Sequence, residues 1–519
     1  MIHIQNFSLF YQNTTLLDNI SLHIPPQSKF ALIGASGSGK SLLCQSIMGI
    51  LPSRLKQKGE ISKDNVKFGV ILQNPALCFD GIFTIENHFI ETFKAHKIPY
   101  KREIIASYLQ EVGLQSGVLD YYPFELSGGT LQRIMIALSI SISPNFILAD
   151  EPTSDLDCIG ELEISNLLLH LQAKYRFTML FVTHNFPLAA KLADKIFVMY
   201  QGKIIEEGES QTILKNPQHS FTQQLVSQHA KLLKTPWGDF QQGIKSLQQN
   251  VHQHLQTEEY ARGKLVEVKH LSKSYKRGNF FSNKPSKIVL KDLNFSLHSG
   301  RSLGIIGKNG AGKSSLIRIL LNIEKQLEGD IYFFNKKIKT LPHILRKEIQ
   351  AVFQNPQESL NPRFTAKDCI LEPLRNCNIP VNHTEEAIKL AKCVQLDPKR
   401  LNQKSNLFSG GEQQRIALAR AISTKPKILI LDEALSNLDH HLQFQMIELL
   451  KSLKQEFNMT YIVISHDLRV IFHLCEELIL LNDGAILFQA NKGEGIEHIL
   501  KRDNPYFQEF FQASLQTCM

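Results

Sequence analysis

The stretch LIGASGSGKS at residues 32–41 recurs as IIGKNGAGKS at residues 305–314. Both copies match the pattern G-x-x-x-x-G-K-S, and each lies between an apolar run and a segment with helical spacing of its apolar residues. Glycines in such a loop let backbone N–H groups surround phosphate oxygens, and the start of the following helix adds a positive partial charge. The two stretches therefore predict two α/β phosphate-binding units in one chain.

Three further elements occur twice. ELSGGTLQR (125–133) returns as LFSGGEQQR (407–415), FILADEPTSDLD (146–157) as ILILDEALSNLD (428–439), and VTHN (182–185) as ISHD (464–467). The paired positions 127 and 409, 150 and 432, and 184 and 466 are all separated by the same number of residues. The three elements therefore keep the same spacing in both copies. Only the stretch between the lysine loop and the SGG element has changed length. We predict a tandem duplication of a domain of about 230 residues, an ordinary size for an α/β domain.

The predicted boundaries are 1–228 for the first domain, 229–263 for a polar, Gln-rich linker and 264–519 for the second domain. Fully extended, the linker reaches on the order of 100 Å, enough for the two copies to face each other head to tail. The His-Gln-His stretch at 252–254 could hold a metal ion, but no third ligand is evident nearby. A solvated linker is the favoured interpretation.

Composition narrows the class of protein. The chain has 519 residues, 43% hydrophobic and 21% charged, which indicates an ordinary globular protein of two to four domains. Its most apolar long window, 461–481, is interrupted by charged residues and cannot span a bilayer. The first residues lack a signal-peptide pattern, so a cytosolic chain is predicted.

Neither the cysteines nor the net charge identifies a class of function. The eight cysteines form no CxxC pair, which favours buried or incidental thiols in a reducing compartment. A net charge of +9 suits nucleotides or an anionic membrane surface, but no basic block indicates nucleic-acid binding.

The coarse secondary structure is that of an α/β protein. NFILAD, TMLFVTH, KILILD and TYIVISH are continuous apolar runs. Such runs are typical of interior strands in a mainly parallel sheet, because both faces of these strands are covered.

The loop lysines and serines are the first candidates for chemistry. Lys40 and Lys313 are predicted to reach the β- and γ-phosphates of a nucleotide, and Ser41 and Ser314 to ligate Mg²⁺. A chance match is a poor explanation for two loops that both have the required strand–loop–helix context.

The acidic strand ends fit the same chemistry. Asp150 and Asp432 are predicted to hold Mg²⁺, and Glu151 and Glu433 to polarise the attacking water as general bases. A pair of capping or surface acids is the alternative, but it explains poorly why both copies keep one register.

A histidine follows another apolar strand in each copy. A lone histidine there would usually be a core residue. His184 and His466 keep the register of the other elements, which favours contact with the γ-phosphate.

LSGGT (126–130) and FSGGE (408–412) resemble the signature of ATP-binding-cassette ATPases, and with the other motifs the resemblance covers nearly the whole chain outside the linker. It implies two tandem P-loop ATPase domains of α/β class. Each has a RecA-like core with a parallel sheet, a helical subdomain and a small antiparallel β subdomain. The implied cofactors are ATP and Mg²⁺.

The resemblance also implies site residues. Tyr11 and Tyr275 match the aromatic that stacks on adenine, and Gln73 and Gln354 match a loop residue that touches Mg²⁺ and reports to a membrane partner. The signature serine and glycines bind the γ-phosphate held by the opposite half, and an aspartate after the acidic strand links the two sites. The nucleotide-binding positions of the first copy are Tyr11, Gly34, Ser36, Gly37, Gly39, Lys40, Ser41, Gln73, Ser127, Gly128, Gly129 and Asp157. Those of the second copy are Tyr275, Gly307, Asn309, Gly310, Gly312, Lys313, Ser314, Gln354, Ser409, Gly410, Gly411 and Asp439.

Thr130 and Glu412 stand where glutamine is usual in the signature, and activity is expected to survive this departure. Both copies keep their lysine, aspartate, glutamate and histidine. The resemblance therefore implies two competent composite sites, formed by head-to-tail pairing of the two halves.

Finer matches favour an importer over soluble tandem cassettes of the translation or DNA-repair type. VFQNPQESLNPRFT (352–365) and NPQHSFTQQLVS (216–227) resemble the dipeptide, oligopeptide and nickel importer subfamily. The stretches 34–61, 122–133 and 149–157 resemble the first nickel-type ATPase subunit. LDEALSNLD (431–439), with Ala434 in place of the usual proline, and SHDLR (465–469) resemble the second.

This resemblance implies uptake of nickel or a nickel chelate, with a peptide or another metallophore as the alternative cargo. The implied partners are two integral-membrane permeases and a substrate-binding protein, without nucleic acid. The implied location is peripheral, on the cytoplasmic face of the inner membrane.

Overall fold

The structure, a computed structural model, describes residues 1–154, 156–239, 263–275, 287–340, 342–436, 438–494, 499 and 504–518. The chain divides into two compact units. The first comprises Met1–His229 with Asp439–His441 and Ala513–Met519, and the second comprises Ala230–Leu438 with Leu442–Gln512.

The first unit contains two sheets. A three-stranded antiparallel sheet has the order β2-β1-β4, with β1 (Ile2–Tyr11), β2 (Thr14–Ile24) and β4 (Lys56–Lys63). A six-stranded sheet has the order β5-β6-β7-β3-β8-β9, and only β9 is antiparallel to its neighbour. Its strands are β3 (Lys29–Gly34), β5 (Phe68–Ile71), β6 (Phe146–Asp150), β7 (Thr178–Thr183), β8 (Lys195–Tyr200) and β9 (Lys203–Glu209).

Nine helices of the described residues begin before residue 229. They are α1 (Lys40–Met48), α2 (Pro75–Cys78), α3 (Ile85–Ala95), α4 (Arg102–Glu111), α5 (Gly128–Ser141), α6 (Cys158–Tyr175), α7 (Phe186–Leu192), α8 (Ser210–Lys215) and α9 (Ser220–Leu233). Helices α2–α4 lie between β5 and α5 in the sequence and form the helical subdomain with it.

The parallel strands bury both faces. Phe146 and Leu148 of β6 face a core shared with the antiparallel sheet and α1. Ile147 and Ala149, which alternate with them, face a second core shared with the helices. Because side chains alternate along a strand, a continuous apolar run is what two covered faces require. This confirms the α/β prediction.

The second unit repeats this arrangement. Its antiparallel sheet has the order β13-β12-β15-β16, and its six-stranded sheet the order β17-β18-β19-β14-β20-β21. The strands are β12 (Lys264–Tyr275), β13 (Lys287–His298), β14 (Leu303–Ile306), β15 (Glu328–Phe333), β16 (Lys336–Lys337), β17 (Ile349–Val352), β18 (Ile428–Asp432), β19 (Thr460–Ile464), β20 (Glu477–Asn482) and β21 (Ala485–Asn491). A short hairpin, β10 (Lys234–Thr235) with β11 (Gly238–Asp239), precedes them.

The later helices follow the same order as the earlier ones. They are α10 (Lys313–Leu320), α11 (His343–Arg346), α12 (Pro356–Ser359), α13 (Ala366–Asn376), α14 (His383–Cys393), α15 (Gly410–Ile422), α16 (His440–Glu456), α17 (Leu468–Leu474) and α18 (Pro505–Cys518). Both units thus place their motif residues at the carboxyl ends of parallel strands, where open α/β sheets bind ligands.

Candidate nucleotide-binding sites

The glycine-rich loops have the backbone conformation that their glycines permit. Gly39 and Gly312 immediately precede α1 and α10 with φ values of 106° and 104°. A Cβ at Gly39 would lie 2.7 Å from Leu17 Cδ2, and one at Gly312 would lie 2.6 Å from Leu290 Cδ2. Because both the torsion and the close approach exclude a side chain, the loop folds only with glycine at these positions.

The loop lysines are buried and fixed by carbonyl groups. Lys40 Nζ donates to Gly34 O at 2.8 Å and to Ala35 O at 3.0 Å. Lys313 Nζ donates to Gly307 O at 2.6 Å and to the carbonyl of residue 308 at 3.1 Å. Burial lowers the pKa of Lys40, against the raising effect of the nearby carboxylates. Each loop therefore carries a confined cation where phosphate binding is predicted.

The aspartates that end β6 and β18 are largely buried. Burial, followed by the charge of the adjacent glutamate, raises the pKa of Asp150 to about 6, and the loop lysine opposes the shift. The same causes raise the pKa of Asp432 to about 6. Two buried carboxylates at a strand end, opposite a lysine, suit a divalent cation with oxygen ligands.

The adjacent glutamates adopt a left-handed backbone. The φ values are 47° for Glu151 and 48° for Glu433, in a region that non-glycine residues rarely occupy. Their N–H groups donate to Val182 O at 2.9 Å and to Ile464 O at 3.0 Å, on the neighbouring parallel strand. Backbone strain of this kind concentrates at functional sites.

In the first unit, the structure brings Gln73, His184 and Glu151 together. Glu151 Oε2 accepts from Gln73 Nε2 at 3.0 Å and from Ser154 Oγ at 3.0 Å, and Glu151 Oε1 lies 3.2 Å from His184 Nδ1. Burial raises the pKa of Glu151, but the hydrogen bond and charge of His184 outweigh it and lower that pKa to about 2. The carboxylate is therefore ionised at neutral pH, as a general base must be.

The second unit has a looser version of this pair. His466 Nδ1 lies 3.8 Å from Glu433 Oε2, within ion-pair distance but beyond an ordinary hydrogen bond. His466 still outweighs burial and lowers the pKa of Glu433. Gln354 lies between β17 and α12, the position that Gln73 has between β5 and α2.

The signature serines begin the helices that follow them. Ser127 caps α5 and accepts from Thr130 N at 3.3 Å, while its hydroxyl lies 2.8 Å from that of Thr130. Ser409 caps α15, and the Glu412 carboxylate accepts a hydrogen bond from the Ser409 N–H at 2.9 Å. Glu412 therefore completes a capping box at α15, whereas the Thr130 side chain contacts the Ser127 hydroxyl.

The glycines after these serines are open. Nothing lies within 4 Å of a Cβ built on Gly128 or on Gly410. A capped helix start with open glycines leaves N–H groups available to an anion.

Asp439 belongs to the first compact unit together with the first glycine-rich loop. Ser36 N–H donates to Asp439 Oδ2 at 3.0 Å, and Asp439 is buried. Asp157 caps α6, where its Oδ1 accepts from Gly160 N at 2.8 Å.

His229 and His440 are site neighbours that sequence reasoning missed. Within the first unit, the His440 ring stacks on His229 at 5.3 Å and meets the His184 ring edge-on at 6.3 Å. The sequence feature that could have indicated His440 is the pair His440–His441, which stands where the first copy has Cys158 and Ile159.

The two tyrosines lie at the ends of β1 and β12. Tyr11 is exposed, with the Arg54 guanidinium 5.7 Å from its ring centre. The Tyr275 hydroxyl donates to the Glu324 carboxylate and lies 3.2 Å from Ser315 Oγ, and Lys273 Nζ lies 4.9 Å from the Tyr275 ring centre. Sequence reasoning did not find Glu324 or Lys273, because neither belongs to a motif.

The His-Gln-His stretch at 252–254 lies outside the described residues. Among those that the structure describes, no group of three or more His, Cys, Asp or Glu residues could hold a metal ion. In the same part of the chain, none of the helices has the length and apolar character needed to cross a membrane.

The family comparison agrees with this geometry. The ABC transporter family matches residues 17–154 and 290–436, which together contain both glycine-rich loops, both signatures and both acidic strand ends. The chain belongs to the ABC transporter family. It is an ATPase whose two domains bind ATP with Mg²⁺, and the confined lysines and buried carboxylates of both units fit these cofactors.

Two relatives from Escherichia coli (strain K12) match over most of their length. The uncharacterised ABC transporter ATP-binding protein YejF is 32% identical, with 94% of this chain and 95% of that protein covered. The glutathione import ATP-binding protein GsiA is 30% identical, with 92% and 83% covered. Among solved structures, the dimeric post-hydrolysis state of the ATP-binding cassette MJ0796 bound to ADP and Pi is 30% identical, covers 44% of this chain and 98% of its own, and has a TM-score of 0.40.

Proposed function

We propose that this chain is the ATP-hydrolysing component of an importer and drives uptake through two separate integral-membrane permeases. The observation that carries the proposal is the duplication of a complete site, with an ionised glutamate next to a histidine in both units. The glutathione import ATP-binding protein, 30% identical over 92% of this chain, supports the importer class.

Each site residue has a role under this proposal. Lys40 and Lys313 neutralise the β- and γ-phosphates, and Glu151 and Glu433 accept the proton of the attacking water. The histidines keep those glutamates ionised and contact the γ-phosphate. Ser41, Gln73 and Asp150 in one copy and Ser314, Gln354 and Asp432 in the other hold Mg²⁺. The metal polarises the phosphate and offsets its charge.

We propose that the halves pair head to tail and that each signature completes the site of the opposite half. The domains are 1–228 and 264–519, joined by 229–263. The hydrogen bond from Ser36 N to Asp439 supports this pairing, since Asp439 follows the acidic strand of the second copy in the sequence yet belongs to the first compact unit. ATP then closes the pair, and hydrolysis reopens it.

Two similarities bear on the cargo, and they favour different cargoes. The motif stretches resemble nickel-type ATPase subunits, which favours nickel or a nickel chelate. The name of the glutathione relative favours a short peptide. The ATPase acts at the cytoplasmic face of the membrane, and a substrate-binding protein selects the cargo, so the ATP sites themselves do not distinguish these possibilities.

Uptake by cells tests the proposal. Cells that lack this protein are complemented with the wild-type chain or with Glu433→Gln, and uptake of radiolabelled nickel, glutathione and a dipeptide is measured. We expect the wild type alone to restore uptake of one cargo class. Restored nickel uptake identifies the nickel importer, and restored peptide uptake the peptide importer. Unchanged uptake of every cargo, together with co-sedimentation with ribosomes, would overturn the importer assignment in favour of a soluble cassette protein.

A further inference from the structure

Residues 231–237, which we name the strap, pack on the second unit instead of acting as a free tether. Leu232 and Trp237 are buried, and Trp237 is only 3% exposed. Trp237 lies in the turn of the hairpin formed by β10 and β11. The first part of the segment predicted to be a solvated linker therefore has a fixed structure.

The strap packs on the short helix α17. The Trp237 indole stacks on Phe472, with ring centres 5.0 Å apart and an interplanar angle of 25°. Its Nε1–H donates to Cys475 O at 2.8 Å, at the carboxyl end of α17. His473 Nε2 lies 3.1 Å from Leu232 O, and because a carbonyl only accepts, the ring nitrogen donates.

His473 has a second contact that fixes its tautomer. Lys451 Nζ, from α16, lies 3.3 Å from His473 Nδ1, and an ammonium group only donates. His473 is therefore a neutral ring that accepts at Nδ1 and donates at Nε2. It joins the strap to both α17 and α16.

Helix α17 starts directly after the histidine of the second site. His466 lies between the end of β19 and Asp467, which caps α17 by accepting from Arg469 N at 2.9 Å. Ile471 of the same helix packs closely on β14, since a Cβ at Gly304 would lie 2.4 Å from Ile471 Cγ2. Because β14 leads into the second glycine-rich loop, the position of α17 affects both His466 and that loop.

The side chains that contact the strap occur in only one of the two copies. At the register of Phe472 and His473, the first copy has Ala190 and Lys191 in α7. Neither alanine nor lysine can reproduce an aromatic stack or a donor–acceptor imidazole. The contact is thus specific to the second site, where the histidine and glutamate are also farther apart, 3.8 Å against 3.2 Å.

We propose that Trp237 and His473 are positioning residues for ATP hydrolysis at the second site. The strap holds α17 on β14 and so sets the distance between His466 and Glu433. This inference rests on the role proposed for His466. Because α17 begins directly after His466 and carries the Trp237 contacts, a nucleotide-driven shift of His466 is expected to reach the indole of Trp237.

The first test is steady-state ATPase activity of the full chain. Trp237→Ala and His473→Ala are expected to lower kcat by about three- to ten-fold, with KM changed by less than about two-fold, because a misplaced group loses rate without losing ground-state binding. His473→Gln keeps an N–H donor and Trp237→Phe keeps the stack, so both should recover most of the rate. Lys191→Ala, at the matching position of the first copy, is the control and should retain full activity.

The second test uses Trp237 itself, the only tryptophan in the chain. Its fluorescence should respond to Mg²⁺-ATP in the wild type and in Lys40→Ala, and should not respond in Lys313→Ala. Thermal unfolding of every variant checks folding.

The outcomes separate the two proposals. Full hydrolysis by His466→Ala would overturn the role of that histidine. A normal loss in His466→Ala combined with full activity of the strap variants would overturn the strap proposal alone. A fall in kcat confined to variants with a reduced folded fraction, or a fluorescence response unaffected by Lys313→Ala, would also overturn it.

Discussion

Glu151 and Glu433 show how a single backbone torsion serves the chemistry. In each copy a buried parallel strand ends at an aspartate, and the next residue turns into the left-handed region. The turn gives two adjacent carboxylates different surroundings: the aspartate has a pKa raised mainly by burial, and the glutamate has a pKa lowered by its histidine. Environments that separate the pKa values of neighbouring acids mark distinct roles.

Replacing either glutamate with glutamine removes the carboxylate proposed as general base and keeps the shape of the side chain. We expect Glu151→Gln and Glu433→Gln each to abolish most steady-state hydrolysis and to retain bound ATP, because phosphate contacts remain while water activation is lost. The measurement is ATP turnover alongside retention of radiolabelled ATP after gel filtration. Glu385→Gln, at an exposed acid of α14, is the comparison and should keep full turnover. A mutant with full turnover would show that its site is not essential.

At this scale the motifs located the loop lysines, acids and histidines by number, because each motif is short and local. They did not indicate His229, His440 or Glu324. Those side chains lie outside the motifs, and their contacts with His184 and Tyr275 and with each other form only on folding.

Helix α17 differs from its counterpart in the first copy, α7, in what packs on it. Its counterpart α7 begins in the same way after a histidine-containing turn, yet only α17 has an aromatic and an imidazole on the face that the strap covers. The repeat therefore conserves the strands and loops that hold nucleotide and changes the helix that follows.

The imidazole of His473 predicts a pH dependence for this element. Burial and the charge of Lys451 lower the pKa of His473 to about 4, against raising contributions from the Leu232 carbonyl, Glu448 and Asp467. In an opened segment the ring takes up a proton near its ordinary pKa of about 6.5. Stability of the strap is therefore complete above about pH 6.5 and is lost progressively as the pH falls towards 4, by roughly 3 kcal/mol at most.

Trp237 fluorescence and its quenching by acrylamide, measured from pH 7.5 to pH 4, check this expectation. Quenching should rise as the pH falls in the wild type, and His473→Gln, which has no titratable group there, should flatten the rise. An equal rise in both proteins would assign the transition to other groups.

At the scale of the whole molecule, the largest apolar exposures among the residues that the structure describes lie in the first helical subdomain. Leu77, Ile82 and Phe124 are 84%, 75% and 75% exposed, and Ile85 N–H donates to Tyr121 O at 3.0 Å, which joins the two segments that carry Ile82 and Phe124. Leu77 is four residues after Gln73, whose side chain contacts Glu151. Exposed apolar residues this close to a catalytic contact suit a protein partner.

Polar replacement there should separate hydrolysis from transport. Ile82→Ser with Phe124→Ser is expected to leave the ATPase activity of the purified chain within about two-fold of wild type while reducing uptake by at least about ten-fold, since apolar anchors dominate interfaces. Ile288→Ser, an exposed apolar residue in the antiparallel sheet of the second unit, is the matched control for uptake. Normal uptake by the double variant would exclude this surface as the permease contact.

The sequence by itself determined the duplication and the α/β class, and it located by number the residues predicted to bind ATP and Mg²⁺. These properties reside in contiguous motifs, whose glycine spacing, apolar runs and strand-end acids can be recognised without knowing what lies next to them. Tertiary structure alone decided that Asp439 lies beside Ser36 and that Trp237 packs on the helix after His466. The reason is physical: burial, hydrogen bonds and pKa shifts depend on neighbours in space, and a chain of repeated motifs acquires different neighbours wherever its two copies differ in packing.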